Sequence, residues 1–123
     1  MGKSIVADKS FDFAVKIVNI YKFLSAGKRE FVISKQLLRS GTSIGANIAE
    51  ALQAQSKRDY LHKMNISLKE ANESLYWIRL LHATEFIDEE QKEDIFNDCT
   101  NLVKILASIV KTTKINLKDE NEK

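Results

Sequence analysis

Proline is absent from the 123 residues, and glycine occurs only four times. Average usage of about 5% proline and about 7% glycine would give roughly six and roughly nine. A chain so poor in breakers has few tight turns, which argues against an all-β sandwich or barrel. The single cysteine, Cys99, excludes an intrachain disulfide and a cysteine zinc cluster, and suits a reducing cytoplasm. No apolar run approaches the roughly 18 residues of a membrane span. The start, Met1 to Val6, lacks the apolar core of a signal peptide, and Val6 breaks the myristoylation pattern.

What is present is a soluble, well-cored composition, 44% hydrophobic and 29% charged. The length fits one domain spanning residues 1–123. Net charge is only +2, yet it is segregated: residues 1–69 carry +7, residues 70–98 carry −7 and residues 99–123 carry +2.

The apolar spacing predicts four helices, at about residues 9–25, 30–54, 57–83 and 89–114, with a frayed tail at 115–123. Asp8 or Ser10 is expected to cap the first helix, and Gly27 to end it in a left-handed conformation. Its apolar residues cover an arc of roughly 220°, far wider than the roughly 100° stripe that one core requires. A second apolar face is therefore expected, and Phe13, Ile17 and Ile20 are assigned to a subunit contact, together with Trp77. In helix 2, Ile33, Leu37, Ser40, Ile44, Ile48 and Ala51 share one face, with Gly41, Gly45 and Ala49 beside them. Two mid-helix glycines cost about 1 kcal/mol each relative to alanine, so close helix packing at Gly41 and Gly45 is expected to offset that.

Ser56 to Asp59 reads as a capping box opening helix 3, and Asp88 to Gln91 as another opening helix 4. The expected seam of helix 3 is Leu61, Met64, Leu68, Ala71, Leu75, Ile78 and His82, stepping by three and four. In helix 4 it is Ile95, Cys99, Leu102, Leu106 and Ile109. Short joints place successive helices side by side, giving an all-α, antiparallel, up-down-up-down four-helix bundle. One end then gathers Lys9, Lys57, Arg58, Lys111, Lys114 and Lys118. The other gathers Glu85, Asp88, Glu89, Glu90, Glu93 and Asp94.

Catalytic and metal chemistry find little support. A di-iron bundle requires Glu-x-x-His pairs, and neither His62 nor His82 has a glutamate three residues before it. One family of helical RNases uses an arginine and a following histidine with four to six residues between them, and Arg58 and His62 with three between, or Arg79 and His82 with two, do not provide that spacing. There is no phosphate-binding glycine loop, no serine nucleophile elbow and no cysteine–histidine pair with an orienting third group. Cys99 falls on an apolar seam as a small hydrophobe. Asn47 and Glu50 could form a binding pair, but register fixing by Asn47 and ion pairing by Glu50 is the plainer reading. No catalytic residue, metal, cofactor or small-molecule substrate is assigned. The basic end, Lys57, Arg58, Lys111 and Lys114, is the candidate nucleic-acid surface, because a helix N-terminus there already favours anions.

The block from Gln36 to Ala51, QLLRSGTSIGANIAEA, resembles the signature of small bacterial four-helix bundle proteins, the 23S rRNA intervening-sequence proteins. Ser56 to Met64 and Leu68 to Trp77 resemble its second block. The resemblance spans about residues 8–114. It implies a homopentameric bundle with no established catalytic activity. A related branch serves diversity-generating retroelements and binds a reverse transcriptase and nucleic acid. The function expected is a cytoplasmic, non-enzymatic interaction protein that binds itself and RNA or a nucleoprotein. A protein-binding adaptor with no nucleic-acid role is the alternative. An RNA-processing enzyme comes third, since no acid–base pair presents itself.

Overall fold

The computed structural model describes residues 4–121 and shows four helices, with no strand among them. Helix α1, Ile5–Lys22, begins earlier than expected because Ser4, not Asp8 or Ser10, caps it by accepting the Ala7 N–H at 3.1 Å. It ends in a π-helical turn, Phe23–Gly27. Backbone N–H groups of Lys28 and Glu30 close that end on the carbonyls of Phe23 and Leu24. The left-handed residue is Arg29, at φ 56°, rather than Gly27.

Helix α2, Ile33–Ala51, starts three residues later than the expected Glu30; Val32 holds the N-cap position, and the Glu30 side chain supplies the capping bonds. The Glu30 carboxylate accepts N–H bonds from Val32, Ile33 and Ser34, the last at 2.7 Å. Burial alone would raise its pKa. Those three donors, reinforced by the nearby Ser34 hydroxyl, outweigh burial and hold it below its usual value.

Helix α3, Lys57–Ala83, opens on Ser56, whose hydroxyl accepts the Asp59 N–H. Helix α4, Glu89–Asn121, opens on a reciprocal box in which Asp88 accepts from the Gln91 N–H and Gln91 accepts from the Asp88 N–H. Helix α4 runs through the segment expected to fray, so residues 115–121 are helical.

Helix α1 packs on α2 and α4, and α3 packs on the same two helices. Residue numbers rise along one helix as they fall along its neighbour. Gly41 meets Ile17 and Gly45 meets Ser10. Ser40 bonds Ser74, and the carbonyl of Ile44 accepts from Ser67. Cys99 lies against Ala71, and Glu120 reaches Lys57. Around this axis Phe13, Ile17, Leu37, Ile44, Ile48, Met64, Ile78, Leu81, Leu102 and Leu106 are excluded from solvent.

The seam of α3 is rotated from the one expected. Met64, Ser67, Ala71, Ser74, Ile78 and Leu81 are buried, while Leu61, Leu68 and Leu75 flank the core. The reason is the close approach of α2. Small hydroxyl side chains fit the gap, and their polarity is satisfied across it: Ser67 donates to the Ile44 carbonyl and Ser74 to the Ser40 hydroxyl, each at 2.8 Å. In α4, Val110 takes the buried place expected of Ile109, which is half-buried.

Candidate functional site

Among the described residues no group of histidine, cysteine, aspartate or glutamate side chains could hold a metal ion. Cys99 is buried, its thiol donates to the Ala71 carbonyl at 3.2 Å, and burial pushes its pKa up to about 12. A thiol so far from ionisation is no nucleophile at neutral pH. His82, at the rim, lies 3.0 Å from a Glu89 carboxylate oxygen, and His62 is exposed.

Two surfaces stand out. The first is a groove of about 400 Å³ between α1 and α2. Its floor is made of small side chains, among them Ala7, Ala14, Gly45, Ala46 and Ala49. Phe11 and Leu52 form its large walls, and they are 69% and 48% exposed. Val15, one turn on from Phe11, is 47% exposed. The wide apolar arc of α1 therefore does have a second face, but at a different phase. Phe13 and Ile17, expected at a subunit contact, are fully buried in the core of the single chain. Ile17 faces α2, where a Cβ on Gly41 would lie 3.0 Å from two of its carbons. Ile20 is half-buried against the same core. The signal for Phe11 and Val15 was in the sequence, as an i, i+4 pair inside the arc. Without the neighbouring helices, periodicity cannot say which part of a broad arc faces inward.

The second surface is the basic end. Arg58, Lys111 and Lys114 are exposed there. Lys57 is not free, because its ammonium bonds the Glu120 carboxylate at 2.5 Å. That partner was missed because the sequence reading ended helix 4 before it. The start of α3 and the end of α4 thus meet, with one of the four expected cations compensated.

Between α2 and α3 lies a charged network that sequence reasoning did not assemble. Arg39 bonds Glu70 at 3.1 Å and also bonds Glu73, whose carboxylate accepts the Trp77 indole N–H at 3.0 Å. The indole bond and Arg39 together hold the Glu73 carboxyl below its ordinary range despite partial desolvation. Trp77, assigned to a subunit contact, is half-buried and engaged within its own chain. Asn47 donates to the Ser43 carbonyl of its own helix at 2.9 Å, so it does not fix register through a neighbouring helix. Glu50 pairs with Lys63 of α3 at 2.8 Å.

No helix among the described residues is long and apolar enough to cross a membrane. No curated protein matches the chain. A solved structure from Bacteroides thetaiotaomicron VPI-5482, of a protein described as having unknown function and belonging to the S23 ribosomal protein family, is 62% identical. That similarity covers 87% of this chain and 99% of the other, with a TM-score of 0.86. Neither this description nor that of the matching family names an enzymatic activity. The model of the 23S rRNA-intervening sequence protein family matches residues 2–108, nearly the whole helical core, and the chain belongs to that family.

Proposed function

We propose that this protein is a non-enzymatic, self-assembling interaction protein of the cytoplasm. Its antiparallel up-down-up-down bundle is the building block, and the α1–α2 groove is the assembly surface. The observation that carries this reading is Phe11 and Leu52 standing exposed over a floor of small residues. Small floors admit a neighbour's side chains closely, and water gains by leaving such a surface. The ring of five is what the resemblance of the Gln36–Ala51 block implies. In a cyclic assembly the basic ends, with exposed Arg58, Lys111 and Lys114, repeat around one rim and attract polyanions such as RNA or a nucleoprotein.

Light scattering tests the assembly. The parent protein should have a mass several times 14.0 kDa, and Phe11→Asp should reduce it to 14.0 kDa without unfolding the exposed site. A parent mass of 14.0 kDa at micromolar concentration would overturn the reading. RNA binding at low salt, weakened about equally across sequences by Arg58→Glu with Lys114→Glu, supports the basic rim, and a flatter salt dependence should accompany it. The Lys57–Glu120 pair favours a second reading, a protein-binding adaptor with no nucleic-acid role, because it removes a cation from that rim. The adaptor reading moves ahead if the assembled parent binds no RNA.

A further inference from the structure

Residues 70–98 hold nine carboxylates and only two basic side chains, Arg79 and Lys92. Four of those carboxylates are taken by cations from outside the segment, Glu70 and Glu73 by Arg39 and Asp94 and Asp98 by Lys16, and a fifth, Glu89, lies against His82. Yet neither Arg79 nor Lys92 forms an ion pair with any described residue. Both line one cavity of about 340 Å³ between the end of α3 and the start of α4. In an acid-rich region, two unpaired cations in the same pocket are not what indiscriminate surface charge would produce.

The rest of the lining is aromatic and apolar. Tyr76, Leu80 and Ala83 share a face of α3 with Arg79, spaced by three, four and seven. Tyr76 is 55% exposed, and its ring stands edge-on to Trp77, at 5.0 Å and 75°. Trp77 is itself tied to Glu73, so the tyrosine is braced on one side and open on the other. The Lys92 ammonium sits 4.8 Å from the centre of the Phe96 ring, which holds it at the pocket edge. His82 is turned to Glu89 and closes the wall.

We propose that this pocket binds a free nucleoside monophosphate, with its base on Tyr76 and its phosphate between Arg79 and Lys92. A guanidinium fork and an ammonium match a phosphate, and an open phenol ring matches a base. Leu80 and Ala83 supply the apolar floor, and the volume lies at the lower end of small-ligand sites. Unpaired Glu85, Asp88, Glu90 and Glu93 surround this end, and their field repels an extended strand more than a compact monophosphate. The inference is independent of the assembly reading.

Trp77 is the sole tryptophan and touches Tyr76, so its emission reports the pocket. Titration with AMP should give a saturable change, with adenosine and inorganic phosphate each binding more weakly. By calorimetry, Arg79→Ala should weaken AMP about tenfold, as for a lost charged hydrogen bond. Tyr76→Ala should weaken AMP about tenfold through lost stacking while leaving inorganic phosphate unaffected, and Tyr76→Phe should retain AMP binding. Both side chains are exposed, and unchanged circular dichroism verifies that the variants fold. Absence of saturable AMP binding at millimolar concentration overturns the proposal, as does equal AMP affinity in the parent and Arg79→Ala. A short 5′-phosphorylated oligonucleotide binding as tightly as AMP overturns the assignment to a free nucleotide.

Discussion

Gly41→Ala sets two effects of known sign against each other. Removing a mid-helix glycine favours α2 by about 1 kcal/mol. The new Cβ, however, would lie 3.0 Å from both γ carbons of Ile17 and 3.4 Å from its Cβ. Ile17 is fully buried and β-branched, so it has neither space to retreat into nor an alternative rotamer within easy reach. Overpacking of this kind costs about 1–3 kcal/mol, so the net expectation is destabilisation by about 1 kcal/mol. For a domain of this size that lowers Tm by about 3–5 °C. Ile17→Ala alone should cost about 2–5 kcal/mol by opening a cavity. It also removes the γ carbons that clash, so the double variant should be more stable than the sum of the singles by at least about 1 kcal/mol. Urea unfolding of all four proteins at matched concentration measures this, since self-association would make stability concentration-dependent. Additive effects, or a Gly41→Ala variant stabilised by the full helix-propensity gain, would refute the close-packing argument.

Two further expectations rest on buried groups. Cys99 should be inert to thiol reagents at pH 8 in the native protein and react as one thiol per chain after denaturation, because burial carries its pKa to about 12; rapid native labelling would contradict its placement. Glu30→Ala should cost about 1–2 kcal/mol by leaving the first N–H groups of α2 without their acceptor. Because the Glu30 pKa is lowered from 4.5 in the folded chain, its contribution is present above that pH and is lost as pH falls through the folded value. Acid unfolding should therefore show the parent losing its advantage over Glu30→Gln below pH 4.5, and a constant difference at all pH values would count against the cap.

The four helices were legible because each repeats apolar residues at helical spacing and two of them open on readable caps. Ser56 with Asp59 and Asp88 with Gln91 bond as local chemistry requires, whatever lies around them. The buried face of α2 was equally clear, since its stripe is narrow and its opposite face is polar. Where the apolar arc is broad, periodicity leaves the phase open. Phe13 and Ile17 go inward and Phe11 and Val15 outward only because α2 and α4 occupy one side of α1. Ser67 and Ser74 displaced leucines from the α3 seam for a related reason. A hydroxyl is poor core material alone, but opposite Ile44 and Ser40 it fills a narrow gap with its bond satisfied. The left-handed residue was fixed by how the π turn hands the chain to α2, which placed it at Arg29 and left Gly27 unstrained. Sequence alone thus determined the four helices and the caps of α3 and α4, because those depend on neighbours within a few positions. Tertiary structure decided which residues stand free: it compensated Lys57 with Glu120, joined Arg39 to Glu70 and Glu73, and left Arg79 and Lys92 unpaired in one pocket, since charge pairing between helices depends on distances that no spacing along the chain encodes.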